Sequence, residues 1–165
     1  MAGEALERFD AGAPIAVGEL VGRWRGTTYP TGHPLDGLLE RYGWYGKEFL
    51  SADVVHPLLF RDGSGRPRPL DSRLVPFGVV RRASLLGRLP GARLGFAAAR
   101  PLLWTRRPGA RLRLVEHRGT TTAALIYDAL PIIDVFRRLD EQTLLGLMDM
   151  RGMAEPYFFT LRREG

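Results

Sequence analysis

The sequence contains no cysteine among its 165 residues. Without cysteine the chain has no disulfide, no thiolate metal site and no cysteine nucleophile, a composition typical of a reducing compartment. It also lacks an uninterrupted apolar run near the roughly 20 residues that cross a bilayer. Its first ten residues are acidic, unlike the basic-then-apolar layout of a secretory signal. These absences predict a cytoplasmic protein without a membrane span.

Several enzyme signatures are missing as well. The sequence has no Gly-x-Ser-x-Gly elbow of a serine hydrolase, no phosphate-binding P-loop and no dinucleotide-binding Gly-x-Gly-x-x-Gly. Haem binding in a small barrel would want a histidine late in the chain, and no histidine follows His117. We therefore expect no cofactor.

Acidic residues are scarce in the middle of the chain. Residues 61–118 carry 14 basic and 3 acidic side chains, a net charge of +11. The flanking residues 1–60 (5 basic, 8 acidic) and 119–165 (5 basic, 7 acidic) carry −3 and −2. A basic segment can contact phosphate or anionic lipid, but the RNP, zinc-finger and basic-zipper motifs are absent. We expect no nucleic-acid partner and interpret the excess as a solvated, arginine-rich surface.

Lysine is almost absent too, because 23 of the 24 basic residues are arginine and only Lys47 is lysine. An ammonium is compact and can lose its proton when it is buried, unlike a guanidinium. Flanked by Tyr45 and Phe49 at strand spacing, Lys47 is predicted to face inward as a base, a Schiff-base amine or an oxyanion partner. The alternative is a structural lysine that pairs with a nearby aspartate and holds two strands together.

Hydrophobic periodicity predicts a mainly β protein of the α+β class. Short helices are expected near Ala5–Phe9, at Val17–Leu20, after Pro34, and after Pro131 through Ile133, Phe136 and Leu139. Strands are expected around Arg23–Arg25, Lys47–Leu50, Val54–Phe60, Arg111–His117, Thr120–Tyr127, Thr143–Met150 and Tyr157–Arg163. An antiparallel barrel around an apolar interior is the simplest arrangement of these elements.

The length predicts one domain over residues 1–165. Within it, residues 1–60 form a first half and residues 111–165 complete the barrel. Residues 61–110 are expected to form a basic, irregular or partly helical flap.

Four short motifs in the first half resemble the GXWXG protein family: Gly22-Arg-Trp-Arg-Gly26, Thr31-Gly-His-Pro-Leu-Asp-Gly37, Trp44-Tyr-Gly-Lys47 and His56-Pro-Leu-Leu59. The second half resembles the module usually found with it, domain of unknown function 4334. The matching stretches are Arg111 to Gly119, Ile126 to Arg137 and Gly146 to Asp149. The resemblance implies no specific activity.

A looser resemblance is to lipocalin-type barrels, whose first strand carries a Gly-x-Trp that closes one barrel end beneath an arginine of the last strand. This likeness implies that Trp24 points inward and that Arg163 lies over its ring. The contact would be a structural cation–π interaction.

Two aspartates, Asp128 and Asp134, flank Pro131, and each is a candidate catalytic residue. Asp128 ends a predicted strand and Asp134 lies in the predicted helical turn. A carboxylate at the mouth of an apolar barrel acquires a raised pKa and can move protons. We favour Asp128 as the functional acid and Asp134 as structural, while Tyr127 takes the face opposite Asp128.

The remaining candidates are polar or aromatic residues near predicted element ends. We expect His33, Lys47, Asp128 and Tyr45 to be catalytic. A metal site of His33 and His56 with a carboxylate has no supporting helix motif, so we expect no metal. Glu116 either pairs with an arginine or lies in the pocket. The expected ligand-binding residues are Trp44, His56, Glu116, Tyr127 and Tyr157.

Together these features predict a barrel that encloses a small, largely apolar ligand. One reading is a cofactor-independent isomerase, cyclase or lyase that moves one proton. A second is a binding or carrier protein for a small hydrophobic or amphipathic molecule. A third, behind these two, is a structural or regulatory protein that acts through the basic middle of the chain. A homodimer is left open.

Overall fold

A computed structural model of the chain describes residues 2–165. The α-helices are α1 (Ala2–Ala11), α2 (Leu38–Arg41), α3 (Phe77–Arg81), α4 (Ala83–Leu86) and α5 (Ala92–Ala99), and 3-10 turns cover Val17–Leu20, Ser72–Leu74 and Arg100–Leu103. The strands are β1 (Gly22–Thr28), β2 (Trp44–Phe49), β3 (Val55–Arg61), β4 (Pro67–Pro69), β5 (Ala110–His117), β6 (Thr120–Tyr127), β7 (Ile132–Arg138), β8 (Thr143–Met150) and β9 (Tyr157–Arg163). No helix within these residues is long and apolar enough to span a membrane.

Eight of the strands close into an antiparallel barrel. Its order around the wall is β1-β2-β3-β5-β6-β7-β8-β9, and β9 pairs with β1 to complete the ring. The predicted antiparallel barrel with short helices is therefore confirmed. Full closure removes the unpaired edges that an open sheet would expose.

The wall is weakest between β3 and β5, where one residue pair, Val55 with Ala110, joins the strands. The short strand β4 pairs with the rest of the same edge of β3. Residues 76–107, which we call the cap, are inserted between β4 and β5. The cap contains helices α3, α4 and α5, yet none of its residues is buried.

The glycines of the Gly22-to-Gly26 motif make room for large side chains at one end of the barrel. Trp24 is 2% exposed, donates from Nε1 to the Leu20 carbonyl at 2.7 Å, and has the Arg163 guanidinium 4.3 Å from its ring centroid. A Cβ on Gly26 would come within 2.3 Å of the Trp44 ring. The motif therefore accounts for packing at this end of the barrel.

The segment after Pro131 is a strand, so the predicted helical turn through Ile133, Phe136 and Leu139 is wrong. Strand β7 pairs with β8 along its length and with β6 at residues 133–135. Its inner face, including Phe136, packs in the barrel core, and its outer face, including Val135, is covered by α1. Because both faces are buried, the strand lacks the polar–apolar alternation that identifies a half-exposed strand.

Candidate functional site

A cavity of about 340 Å³ lies between the barrel interior and the cap. This volume falls within the range of roughly 300–1,000 Å³ typical of small-molecule pockets. Leucine, valine, alanine and aromatic side chains form most of its lining, and helices α3, α4 and α5 supply its outer side. The polar or ionisable lining residues are Tyr42, Lys47, Tyr127, Asp134 and Tyr157.

Two β-bulges between β2 and β3 place Lys47 on the cavity side. Strand β2 has an extra residue between Trp44 and Gly46, and β3 has a compensating extra residue between Leu59 and His56. Trp44 and Lys47, three positions apart, consequently both line the cavity. Gly46 has φ +149°, and a Cβ there would come within 2.0 Å of the Trp24 carbonyl oxygen.

Lys47 is 3% exposed and its ammonium has three acceptors within reach. Nζ lies 2.7 Å from Asp134 Oδ2 and donates to the Pro57 carbonyl at 3.1 Å and to the Tyr127 hydroxyl at 3.4 Å. It also lies 5.1 Å from the centroid of the Phe159 ring. A protonated lysine has three N–H donors, so these partners account for all of them.

Asp134 is the partner of Lys47 across the barrel. Its side chain is 1% exposed, and Oδ1 has no hydrogen-bond donor within residues 2–165. Burial raises the pKa of the Asp134 carboxyl, while the charge and hydrogen bond of Lys47 act in the opposite direction. The site thus presents a carboxylate with one unused oxygen, made more basic than an ordinary aspartate.

Tyr127 completes this cluster from the end of β6. It is 7% exposed, and burial together with the charge of Asp134 raises the pKa of its hydroxyl well above the usual value. Tyr127 is therefore a neutral hydrogen-bonding group at physiological pH. The polar wall of the cavity consists of Lys47, Asp134 and Tyr127.

A second polar chain backs Tyr157 on the same cavity. The Tyr157 hydroxyl lies 2.6 Å from Thr28 Oγ1, and both the backbone N–H and the hydroxyl of Thr28 donate to the Glu40 carboxylate. Burial raises the pKa of Tyr157. The His33 ring packs at 5.6 Å from the Tyr157 ring, outside the cavity lining. Tyr157 is thus a fixed hydrogen-bonding group.

The structure brings together four of the residues selected from the sequence. Lys47 has a predicted catalytic role, and Trp44, Tyr127 and Tyr157 have predicted ligand-binding roles; all four line one cavity. The indole Nε1 of Trp44 has no hydrogen-bond partner within the described chain.

Asp128 lies outside the cavity, contrary to the preference for it over Asp134. It is a surface residue whose Oδ1 is 3.1 Å from Arg111 Nε. Strand alternation explains the placement, because Tyr127 takes the inner face and its neighbour must take the outer one. Asp134 lies in strand β7 and not in the predicted helical turn.

The other predicted residues also lie off the cavity lining. Tyr45 is displaced by the β2 bulge and has the Arg61 guanidinium 4.7 Å from its ring. His33 accepts a hydrogen bond from the Leu35 backbone at Nδ1. Glu116 is exposed near the far end of β5, where even Leu114 faces solvent. None of these three residues lines the cavity.

His56 is buried, at 6% exposed, but does not line the cavity. Burial lowers its pKa from 6.5, opposed by the charge of Glu48. Within residues 2–165 no group of three or more histidine or carboxylate side chains is arranged to hold a metal ion.

Sequence reasoning missed Asp134 as a site residue, although a signal was present. Asp134 is the only charged residue in the run Ile132-Ile-Asp-Val-Phe136, which is otherwise β-branched or aromatic. A lone acid in a run with strong β propensity indicates a buried charge that needs a partner. The single lysine of the chain is that partner.

Comparison with known proteins yields two family matches. Residues 7–65 match the family described as GXWXG protein, and residues 108–163 match the Domain of unknown function (DUF4334). Lys47 therefore lies in the first match and Asp134 in the second, while the cap lies between them.

A protein of known crystal structure from Thermomonospora curvata is similar to this chain at 34% sequence identity. The alignment covers 99% of this chain and 87% of that protein, with a TM-score of 0.72. No curated protein matches the sequence significantly.

Proposed function

This chain belongs to the GXWXG protein family and carries the DUF4334 domain, and from that premise we propose that its cavity is a catalytic site. It binds a small, largely apolar molecule and moves a proton on it without a cofactor, as an isomerase, cyclase or lyase does. The supporting observation is the Lys47–Asp134 ion pair inside an otherwise apolar cavity.

A buried ion pair distinguishes this proposal from a simple carrier. Taking both charges out of water costs several kcal/mol per ion before their attraction offsets it. A cavity that only holds an apolar ligand gains nothing from that cost, because aliphatic and aromatic walls suffice. A site that moves protons does gain, since burial tunes the basicity of the carboxylate.

Asp134 is the proposed general base. Its Oδ1 has no donor within the described residues, and its raised pKa brings it closer to neutrality. In the proposed step the carboxylate takes a proton from a carbon next to a ligand carbonyl, and the C–H electron pair forms an enolate. When the ligand is a β,γ-unsaturated carbonyl compound, the enolate extends over the carbon–carbon double bond, and returning the proton to the γ-carbon moves that double bond, so atoms and electrons balance without an oxidant.

Tyr127 is the proposed hydrogen-bond donor to the developing oxyanion, because its oxygen accepts from Lys47 and its O–H remains free, and Lys47 stabilises the same oxyanion by its charge. Both belong to the same polar wall as Asp134, with Nζ 3.4 Å from the Tyr127 hydroxyl. Donors fixed before reaction stabilise developing charge strongly in a water-poor site. A Schiff base on Lys47 is disfavoured because all three of its N–H groups already have acceptors.

The test measures deuterium incorporation next to the carbonyl of carvone and menthone in D₂O by NMR, with and without protein. The expected result is acceleration by the native protein and a loss of about 10²–10⁴-fold in Asp134→Asn. The matched control is Asp128→Asn, which alters the neighbouring surface carboxylate and is expected to retain full exchange.

The competing carrier function makes the opposite prediction. Binding of both ketones is followed in parallel by displacement of the fluorescent probe 1-aminoanthracene. If native protein and Asp134→Asn bind the ketones equally and neither accelerates exchange, the catalytic proposal fails and the cavity is a carrier site. Loss of both binding and exchange, with intact circular dichroism, would make Asp134 a ligand-binding residue instead.

A further inference from the structure

The cap carries positive charge without any compensating acid. Residues 76–107 contain seven arginines and no aspartate or glutamate. The arginine ion pairs within residues 2–165 all involve arginines outside the cap. Arg88 donates to the Pro34 carbonyl at 3.1 Å and Arg100 is half-buried, but the other five cap arginines are exposed to solvent.

The same segment exposes an unusual amount of apolar surface. Six of the twelve exposed large hydrophobic side chains of the described chain lie in the cap, although it is 32 residues long. Leu85, Leu94 and Leu102 are 72%, 76% and 81% exposed. Scattered exposed leucines are ordinary, but this concentration in one segment indicates an interaction surface.

We propose that the cap docks the protein on the surface of an anionic lipid bilayer. Arginines that attract anionic headgroups, combined with leucines that enter the acyl boundary, are the composition of interfacial membrane-binding helices. Trp104 adds an aromatic ring of the kind favoured at that depth, with the guanidinium groups of Arg68 and Arg100 at 5.3 and 5.7 Å from its centroid.

The positive charge and the exposed leucines of the cap together favour an anionic bilayer over a nucleic acid or a second copy of the cap as the partner. A nucleic acid would neutralise the arginines but would leave the leucines in water. A second copy of the cap would cover the leucines but would bring two segments of seven unpaired positive charges together. An anionic bilayer accommodates both features.

Docking would also place the cavity at the membrane. Helices α4 and α5, which carry exposed leucines, also supply Ala83 and Phe96 to the cavity lining. The cap helices make few contacts with the barrel. These include the hydrogen bond from the Tyr42 hydroxyl to the Gly87 carbonyl at 2.7 Å and the edge contact of Phe96 with Phe60. Segments with few buried contacts open most readily, so an apolar ligand can pass between bilayer and cavity. This inference does not require that the cavity be catalytic.

The test is co-sedimentation with sucrose-loaded vesicles of phosphatidylcholine alone or with roughly one third phosphatidylglycerol. The native protein is expected to bind the anionic vesicles and not the neutral ones. Binding should weaken as salt rises from about 50 mM to about 500 mM, because the Debye length shrinks.

Two triple variants separate the contributions of apolar and basic groups. Leu85→Ser/Leu94→Ser/Leu102→Ser is expected to bind at least about tenfold more weakly. Arg81→Gln/Arg93→Gln/Arg106→Gln is expected to lose about 100-fold. The control combines Leu114→Ser, 58% exposed on β5, with Arg162→Gln on β9, and should bind like the native protein.

Three results would overturn the inference. The first is no binding of native protein to anionic vesicles. The second is vesicle binding that the leucine variant leaves unchanged, with equally tight binding to a duplex DNA oligonucleotide. The third is a dimer in light scattering that the leucine variant dissociates, since a second copy would then cover the cap.

Discussion

Removing either member of the Lys47–Asp134 pair is expected to destabilise the fold, whereas removing both is not. The two side chains are 3% and 1% exposed and their charged atoms lie 2.7 Å apart. Lys47→Met leaves the buried Asp134 carboxylate without a counter-ion, and Asp134→Val leaves the buried Lys47 ammonium without one. Breaking a buried pair in this way costs about 3–5 kcal/mol. We expect the lower end, about 3 kcal/mol, because the stranded group can change its protonation state.

The double variant Lys47→Met/Asp134→Val replaces the pair with apolar groups in a cavity already lined by apolar residues. Such replacements are often neutral or stabilising. The double variant is therefore expected to be more stable than either single variant by about 2 kcal/mol or more. Urea unfolding at pH 7, followed by circular dichroism and tryptophan fluorescence, measures the four free energies of unfolding.

The surface pair Arg111–Asp128 serves as the matched control. Its charged atoms are 3.1 Å apart, but its side chains are 52% and 36% exposed. Arg111→Gln and Asp128→Asn should each change stability by less than about 1 kcal/mol. If the Lys47 and Asp134 variants are additive, or no costlier than the surface variants, the pair is solvated and the reasoning is refuted.

Three further perturbations probe the barrel itself. Gly26→Ala should cost about 1–3 kcal/mol and alter cavity binding of 1-aminoanthracene, because the new methyl displaces the Trp44 ring; unchanged unfolding and binding would contradict the packing argument. Burial lowers the pKa of His56, so its stabilisation is present above pH 6.5 and lost as pH falls through the lowered value. The melting temperature of His56→Gln should therefore fall less between pH 7.5 and pH 5 than that of the native protein, and parallel curves would refute this. Arg163→Gln should cost about 0.5–2 kcal/mol in urea unfolding through loss of its contact with the Trp24 ring and of its hydrogen bonds to the Val21 and Glu19 carbonyls, while Arg162→Gln, exposed on the same strand, should cost less; equal costs would argue against these contacts.

The barrel could be predicted from the sequence where one strand face is buried and the other is solvated. Such alternation identified the strands β1 and β5. The alternation did not identify β7, because α1 covers the outer face of that strand and apolar residues occupy both faces. It also failed at Tyr45, because a bulge shifts which residues face inward and no local pattern signals the shift.

Part of the candidate site could be predicted from the sequence. Lys47 was selected because it is the only lysine of the chain, without any knowledge of its surroundings. Its partner Asp134 was not identified as such, because the pairing joins positions 87 residues apart and depends on the barrel closing. Asp128 does not line the cavity, because the adjacent residue Tyr127 occupies the inner face of the strand and Asp128 therefore faces outward. Long-range pairing and strand register therefore set the limit of what sequence reasoning can place.

The cap is attached to the barrel in a way that would allow a different segment to replace it. The segment that precedes the cap is bonded to the cap's C-terminal part: the Asp71 N–H donates to the Leu103 carbonyl at 2.7 Å, and the Thr105 N–H donates to the Pro69 carbonyl at 3.0 Å. With the ends clamped, lengthening or shortening the intervening chain changes loop-closure entropy only slowly. Lys47 and Asp134 lie on barrel strands outside this insertion. Under the proposed function, the cap could therefore vary in sequence and change which ligand the cavity accepts while Lys47 and Asp134 stay in place, and grafting a different cap onto this barrel would test that.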